Sequence, residues 1–301
     1  MKKVGKMTSV LLLATLLLTS CSNSGGDSNN TKETTTTNNQ PTAAATQSVE
    51  TEAPTAEVAV IPTPQATLEG ETAGSNTNTG PEASAEISLL YHMNKNYDIV
   101  PNEESTNKKV VLLTFDDGPK DANMINPLMD ILDKHQAKAI FFVNGYRVKA
   151  HPELLELIHK RGGIIGNHSW DHIILKDKSY AEVKKQIEDV QSIVKETIGE
   201  APHFFRPPHG AGGDVGKKIA AENGMLYMTW SNGSLDWEMK EKETEKTDKL
   251  IKNVTDQLHS GSNILMHELP WTVEALDKLL TTLEGKGYSF VDPRSIELKM
   301  R

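Results

Sequence analysis

Two histidines and two adjacent aspartates have the types and spacing that a catalytic metal site needs. His168 and His172 stand four positions apart, so both could meet on one side of a helical turn, and one added carboxylate makes a three-ligand set with a position open for water. Asp116 and Asp117 end an apolar run and should point in different directions, so one could bind the metal while the other acts as a base. Each pattern also has an ordinary alternative, a chance surface pair for the histidines and a common turn for Asp-Asp-Gly-Pro.

Seven short apolar runs would position such residues. They are Val110–Phe115, Ala139–Val143, Ile164–Asn167, His203–Arg206, Leu226–Trp230, Asn263–His267 and Tyr288–Val291. Amphipathic segments lie between them, and the longest, near 180–198, opens with Ser179 and Glu182 in the pattern of a helix capping box. Strands that alternate with helices predict an α/β fold of parallel βαβ units, and seven strands predict a closed or nearly closed barrel. In such a barrel the active residues lie at the C-terminal ends of the strands.

Five of the seven runs end in, or are followed by, residues that can bind a metal or move a proton. These residues are Asp116 with Asp117, His168 with His172, Arg206, Asp236 and His267. Solubility alone does not account for them, since a surface loop more often begins with Gly, Asn, Ser or Lys. The sequence therefore predicts a catalytic centre at this end of the barrel.

Five motifs, in order along the chain, resemble those of the polysaccharide deacetylase family, which is also called carbohydrate esterase family 4. They are Thr114-Phe115-Asp116-Asp117-Gly118-Pro119, His168-Ser169-Trp170-Asp171-His172, Arg206-Pro207-Pro208-His209-Gly210, Asp236-Trp237 and Leu265-Met266-His267. The resemblance covers residues 108–301 and implies a distorted (β/α)7-type barrel, in agreement with the strand count. It also implies an enzyme that hydrolyses the N-acetyl amides of a glycan.

The same resemblance implies the catalytic roles. A divalent metal, usually zinc with cobalt, nickel or manganese as alternatives, would be held by Asp117, His168 and His172. Asp116 would be the general base and His267 the general acid. Arg206 would position Asp116, and Asp236 would tune the pKa of His267. The backbone N–H of His209 would bind the oxyanion. The acetyl pocket would be bordered by Trp237, Leu265 and Pro208.

These roles suit the chemistry of an amide. An amide is a poor electrophile with a poor leaving group, so its hydrolysis needs an activated water, a polarised carbonyl and a proton for the nitrogen. One base and one separate acid supply the two proton transfers. A protonated His267 beside the carboxylate of Asp236 should have a raised pKa and donate readily near neutral pH.

Three positions depart from the family pattern. Gly233 stands where the fourth motif commonly has its first Asp, which removes a carboxylate and favours the muramic-acid deacetylase subgroup. That subgroup often has Asn at the second Asp of the first motif, whereas Asp117 is intact. His209 stands where Tyr is usual and Glu268 where Asp is usual. We interpret all three as changes that tune substrate choice, with a weak or inactive enzyme as the alternative.

The N-terminal segments predict export and attachment to a membrane. Residues 1–20 contain three lysines and then an apolar run, which indicates a signal peptide, and the stretch that ends at Cys21 resembles the bacterial lipobox. Two acyl chains on Cys21 would hold the protein on the outer face of the cell membrane, whereas a plain signal peptide with an incidental Cys is the alternative. Residues 22–86 have no aromatic residue and an acidic Thr/Asn/Pro-rich composition, which predicts a disordered tether. Whether residues 87–107 are a folded appendage or the end of the tether stays open.

Composition excludes several function classes. The 301 residues carry a net charge of −9 and no strongly basic segment, which argues against nucleic acid as a partner. The single Cys excludes a disulfide scaffold. The family resemblance and the N-terminal segments together predict a monomeric, extracytoplasmic, membrane-anchored deacetylase whose substrate is a cell-envelope glycan, with N-acetylglucosamine of peptidoglycan as the main hypothesis. The alternatives are muramic-acid, exopolysaccharide or chitin-type deacetylation, and a glycan-binding lipoprotein that has lost catalysis.

Overall fold

The structure is a computed structural model that describes residues 87–301. The predicted signal peptide, Cys21 and the tether at 22–86 lie outside these residues. The strands are β1 (Tyr91–Met93), β2 (Ile99–Pro101), β3 (Val110–Gly118), β4 (Ala139–Val143), β5 (Ile164–Asn167), β6 (Phe204–Phe205), β7 (Leu226–Tyr227), β8 (Asn232–Gly233), β9 (Ser262–His267) and β10 (Ser289–Phe290). The helices are α1 (Ala122–Lys134), α2 (Gly145–Ala150), α3 (Pro152–Lys160), α4 (Tyr180–Ile198), α5 (Gly213–Glu222), α6 (Lys246–Asp256) and α7 (Pro270–Gly285).

A curled parallel sheet forms the centre of the fold. Its strand order is β7-β6-β5-β4-β3-β9-β8, and β10 pairs with the first residues of β3. Within residues 87–301 the end strands β7 and β8 do not pair with each other, so the barrel is open there. The predicted α/β barrel is confirmed in this distorted, partly closed form, and each of the seven apolar runs contains a strand. Strand β8 was not predicted from the sequence, because Asn232-Gly233 is not an apolar run.

Side-chain alternation along β3 divides the core into two layers. Val111, Leu113 and Phe115 face the helices that cover the outside of the sheet. Val110 and Leu112 face the inside of the barrel, where they belong to a second apolar cluster. Because successive side chains of a strand point to opposite faces, Asp116 continues the inner row beyond these two residues. The apolar inner core therefore lies directly beneath the polar end of the barrel.

Residues 87–107 include a β-hairpin that packs into the inner core. Strands β1 and β2 are antiparallel, and Met93 and Ile99 are buried in the same cluster as Leu112. Ile99 N–H also bonds to the carbonyl of Gly261, just before β9. The hairpin thus covers the N-terminal ends of the strands and leaves the opposite end of the barrel accessible.

Helix α4 begins where the sequence signal predicts. Helix α4 has the full capping box, in which Ser179 Oγ accepts from the Glu182 N–H and the Glu182 carboxylate accepts from the Ser179 N–H. Its buried side chains include Val183, Ile187 and Val190, as the helical spacing predicts. Between residues 87 and 301, no helix has the length and apolar character required to cross a bilayer.

Candidate active site

A bulge at the end of β3 turns both aspartates toward the same pocket. Alternation alone would send Asp117 to the helical side of the sheet, opposite Asp116. Instead the β3–β4 register shifts between Phe115 and Gly118, and Asp117 adopts a left-handed backbone with φ 65°. A bulge re-aims a side chain in this way, and Asp tolerates the left-handed region better than most residues. Asp116 and Asp117 both line one pocket as a result.

His168 and His172 meet on a loop after β5, so the expectation of a helical turn is wrong. Residues 168–177 contain no helix, and Ser169 and His172 have left-handed φ values of 66° and 54°. Buried amides hold the loop in place: Asn167 Oδ1 accepts from the Ser169 N–H, and Asn144 Nδ2 donates to the His168 carbonyl. These side chains satisfy backbone groups that a helix would have satisfied with its own hydrogen bonds.

The two imidazoles and one carboxylate form a compact ligand set. Within residues 87–301, Asp117, His168 and His172 place one ligand atom each so that all three lie within 4.8 Å of one another. Asp117 Oδ1 lies 3.0 Å from His172 Nε2 and 3.4 Å from His168 Nε2. A tetrahedral cation with bonds of about 2.0–2.2 Å separates its ligand atoms by similar distances.

The hydrogen bonds around this set favour a cation over a bond between the ligands. His168 Nδ1 lies 2.7 Å from the Arg206 carbonyl. A carbonyl only accepts, so Nδ1 carries the proton, and the lone pair of the neutral imidazole is at Nε2, which faces Asp117. Asp117 Oδ1 is then buried without a hydrogen-bond partner among the described residues. A carboxylate oxygen without a donor that faces an imidazole lone pair is satisfied when a cation lies between them. The residues present fit a divalent metal.

Arg206 holds one oxygen of the Asp116 carboxylate in place. The guanidinium is fully buried over the ring of Phe142, with Cζ 4.4 Å from the ring centroid. Its Nη1 donates at 2.7 Å both to Asp116 Oδ1 and to Thr114 Oγ1. Asp116 Oδ2 remains on the pocket side, 3.7 Å from His168 Nε2. Because the geometry holds one oxygen and leaves the other free, Asp116 can accept a proton at Oδ2.

Asp236 orients His267 on the other side of the pocket and raises the pKa of its imidazole. Asp236 is fully buried, and its Oδ1 lies 2.8 Å from His267 Nδ1. Its Oδ2 accepts at 2.7 Å from both the His267 N–H and Thr272 Oγ1. Burial lowers the pKa of His267, but the bond and charge of Asp236 outweigh that effect and raise it. Nε2 of His267 is left toward the pocket, 4.0 Å from Asp117 Oδ2.

The pocket between these groups has a volume of about 340 Å³. It is lined by Asp116, Asp117, His168, His172, His209, Trp230, Trp237 and His267. Of the residues expected at the acetyl pocket, Trp237 and His209 line it, whereas Leu265 and Pro208 are buried and are not among its lining residues. Trp230 was not predicted to line the pocket, and its ring makes an edge-to-face contact with Trp237, with ring centroids 6.3 Å apart.

The turn at 208–210 brings a backbone donor to the pocket. His209 has φ 56°, and its ring lies 4.8 Å from the ring of His172. The Gly210 and Ala211 N–H groups bond back to Pro207 and Pro208, while the His209 N–H makes no backbone hydrogen bond within residues 87–301. A free N–H at this position suits the expected oxyanion contact.

Several supporting residues were given no role from the sequence alone. Thr114, Asn144, Asn167, Asn263 and Thr272 are buried polar residues that hold the functional side chains or the backbone beside them. Their only sequence signal is a polar type within or beside an apolar run. Trp271 donates from Nε1 to the Asp236 carbonyl and does not line the pocket.

Comparisons with known proteins identify the family of the chain. A sequence model described as polysaccharide deacetylase matches residues 103–228, which include the first three motifs. A peptidoglycan-N-acetylglucosamine deacetylase of Bacillus cereus is 33% identical over 198 residues, which cover 64% of this chain and 88% of the relative. The chain belongs to the polysaccharide deacetylase family. Its members act on N-acetyl amides and depend on a metal.

Other members of the family differ in substrate and in activity. PdaC of Bacillus subtilis, a peptidoglycan-N-acetylmuramic acid deacetylase, is 36% identical over 66% of this chain, and the chain spans only 41% of that relative's length. The solved structure of PdaC matches with TM-score 0.54 and 34% identity over 62% of this chain and 88% of that one. A pseudoenzyme of carbohydrate esterase family 4 from Bacillus anthracis matches with TM-score 0.57 and 31% identity over 61% of this chain and 63% of that one. The fold is therefore compatible with different substrates and with loss of activity.

Proposed function

We propose that the protein is a metal-dependent N-deacetylase of a cell-envelope glycan, with N-acetylglucosamine of peptidoglycan as its substrate and zinc as its metal. The proposal rests on the presence of three functional groups in one pocket. They are the Asp117, His168 and His172 ligand set, the Asp116 carboxylate and the His267 imidazole. A structural metal site would need only the first of these groups.

The two proton transfers follow from the hydrogen bonds of the acid and the base. Arg206 holds Oδ1 of Asp116, so the proton of the attacking water passes to Oδ2. Asp236 holds Nδ1 of His267, so His267 delivers its proton from Nε2 to the departing amine. When bound, a divalent cation supplies Lewis-acid chemistry, which polarises the acetyl carbonyl and lowers the pKa of water. The His209 N–H adds a second donor for the carbonyl oxygen.

The aromatic residues of the pocket suit an acetylated sugar. Trp237 is 40% exposed and its ring lies 5.4 Å from the ring of His267. An indole offers an apolar face to the acetyl methyl group and to the C–H groups of a sugar ring. We therefore assign Trp237, together with Trp230, to substrate contact beside the proposed acid.

The expected location is part of the proposal. An acylated Cys21 and the acidic stretch 22–86 would keep the catalytic domain outside the cell, attached to the membrane and within reach of the wall. A lipid-anchored monomer of this kind would act on the cell's own peptidoglycan. Replacement of Cys21 by Ser should release the protein from the membrane fraction, which cell fractionation would measure.

Muramic-acid deacetylation is the second candidate, and Gly233 favours it. A Cβ atom at this position would lie 3.3 Å from Trp237 and 3.8 Å from Nε1 of Trp230. A side chain there would therefore enter the space between the two indoles, and its absence removes a carboxylate from the wall of the pocket. The relative PdaC, named for activity on N-acetylmuramic acid, points to the same alternative.

The test is to incubate the purified chain with Zn²⁺ and peptidoglycan fragments and to identify by mass spectrometry the sugar that loses an acetyl group. Loss from glucosamine supports the main proposal, and loss from muramic acid supports the second candidate. Loss from neither sugar in a zinc-loaded sample contradicts both. A glycan-binding protein without catalysis would instead retain oligosaccharide after chelation of the metal, which separates that alternative from an enzyme.

A further inference from the structure

A buried carboxyl group follows the proposed acid and takes no part in the proton transfers. Glu268 comes directly after β9 and is 1% exposed. Its Oε2 accepts a hydrogen bond of 2.9 Å from the Lys120 N–H. Its Oε1 is buried without a hydrogen-bond partner among the described residues.

Glu268 lies against the segment that follows the two catalytic aspartates. A Cβ atom added to Gly118 would lie only 2.1 Å from Glu268 Oε1, so the glutamate occupies space that any other residue at 118 would need. Gly118 directly follows Asp117, and Lys120 is two residues further along. The carboxyl group therefore contacts both ends of the short stretch 118–120.

The bond between Glu268 and Lys120 lies just beyond the end of the β3–β9 strand pairing. The ladder between these strands ends at the pair Asp116 and His267. Beyond it, the bond from the Lys120 N–H to Glu268 joins the chain after the aspartates to the chain after His267. The base and one metal ligand lie on one side of this connection and the acid on the other.

We infer that Glu268 is a positioning residue that sets the separation between the Asp116–Asp117 segment and His267. The inference rests on the proposed function, because it assigns Glu268 a part in aligning that site. Glu268 acts through the Lys120 N–H and through its packing on Gly118, and it touches neither substrate nor metal.

The burial of Glu268 is costly, which argues against a role in filling space. Burial raises its pKa to about 7, and the charges of Lys120 and Arg147 lower it only in part. Among the described residues, the carboxyl group accepts one hydrogen bond, from the Lys120 N–H, and its other oxygen has no partner. A leucine would fill similar volume without the cost of desolvating a carboxyl group. The feature that leucine lacks is the acceptor for the Lys120 N–H.

The first test compares Glu268→Gln with Glu268→Leu, and uses Glu274→Gln as a control on the exposed surface of α7. Glutamine keeps an acceptor oxygen at the same reach, so we expect kcat to stay within about 3-fold of the wild type. Leucine removes the acceptor, and misplacement of the segment by about 1 Å should lower kcat by about 10²-fold with KM little changed. The control should leave both constants unchanged.

Zinc affinity gives a second readout that does not depend on turnover. Because Asp117 adjoins the positioned segment, Glu268→Leu should weaken zinc binding by about 10-fold, as for other residues that orient metal ligands, and Glu268→Gln should not. Titration of the metal-free protein with Zn²⁺ would measure this. If the wild type binds zinc but releases no acetate, the proposed function fails while the affinity difference still tests the positioning.

The inference is wrong if leucine and glutamine have equal effects on kcat and zinc affinity. It is also wrong if the loss in Glu268→Leu only matches the fraction of unfolded protein found by thermal denaturation. A double-mutant cycle tests the packing independently. Gly118→Ala should clash with Glu268 and lower kcat, and the same substitution should cost less in the Glu268→Asp background, where the shorter side chain leaves room for the added methyl group. Equal losses from Gly118→Ala in the two backgrounds would contradict the proposed contact.

Discussion

His267 and His259 lie at opposite ends of the same strand, and each bonds to an aspartate. His267 Nδ1 lies 2.8 Å from Asp236 Oδ1 at the C-terminal end of β9, and His259 Nε2 lies 2.7 Å from Asp98 Oδ1 before its N-terminal end. In both pairs burial lowers the pKa of the imidazole, and the aspartate together with neighbouring acceptors or charges raises it on balance. By pair geometry and direction of the pKa shift, the two histidines are alike.

The two histidines differ in the surroundings of the second ring nitrogen, the one that does not face the aspartate. His259 Nδ1 contacts the Gln257 carbonyl at 2.8 Å and Ser262 Oγ at 3.2 Å, so both ring nitrogens are engaged. Ser262, His259 and Asp98 have the residue types of a hydrolytic triad, but Ser262 is fully buried and donates to the His259 carbonyl. Nε2 of His267 faces a pocket that also holds the metal ligands. A histidine–aspartate pair is therefore catalytic only where a free nitrogen meets space for a substrate.

The largest effect should come from Asp117→Asn, which removes the anionic ligand at the pocket end. We expect metal binding and acetate release to be lost together, down to the background of chelated wild type, because two neutral imidazoles alone hold a divalent cation weakly. Zinc titration and acetate release measure the two properties. Asp98→Asn at the other end is the matched control and should change neither; a zinc-bound, active Asp117→Asn variant would contradict the assignment.

Asp116→Asn should separate metal binding from turnover. The amide can still accept from Arg206 but cannot take a proton from water, so kcat should fall by about 10²–10⁴-fold while zinc affinity stays near that of the wild type. Equal activity of this variant and the wild type would exclude Asp116 as the base. Loss of zinc binding would instead place Asp116 among the ligands.

Asp236→Asn and Asp98→Asn compare the two pairs directly. Loss of Asp236 should lower kcat by about 10²-fold or more, within the range for general acid catalysis, and loss of Asp98 should leave kcat within about 2-fold. The acid must be protonated, so activity falls as pH rises through the raised pKa of His267. Without Asp236 that pKa drops, and the alkaline limb of the profile of kcat/KM against pH should move to lower pH. An unmoved limb would show that another group is the acid.

The smallest effect concerns stability at the His259 end. The folded pKa of His259 is raised, so its contribution to stability is full below the unfolded value of about 6.5 and is lost as pH rises through the folded pKa. The pKa of Asp98 is lowered, so its contribution is lost as the solution becomes acidic. The side chain of His259 is 43% exposed, and an exposed pair contributes under about 1 kcal/mol.

His259→Gln should therefore lower Tm by at most about 4 °C near pH 6 and by less near pH 8. Thermal unfolding in the presence of a chelator, which removes any contribution of bound metal, would measure the difference. A difference that grows with pH would contradict the assignment of the raised pKa to this pair.

Much of the fold followed from local sequence patterns. The apolar runs of the sequence contain β3, β4 and β5, because a strand buried on both faces of a parallel sheet needs continuous apolar residues. Strand β8 and the β1–β2 hairpin have no such run, since their pairing depends on the neighbouring strand and on the inner core. The hairpin shows the limit clearly, because its sequence alone left its order open.

The candidate site divides in a similar way. The sequence by itself determined which residues can carry the chemistry, because metal ligation, proton transfer and charge depend on side-chain type. Only the tertiary structure decided how they meet. The bulge that turns Asp117 beside Asp116, the loop that joins His168 to His172 and the packing of Glu268 on Gly118 all depend on contacts between segments far apart in the chain. Such contacts form only when the sheet is assembled, and no local pattern encodes them.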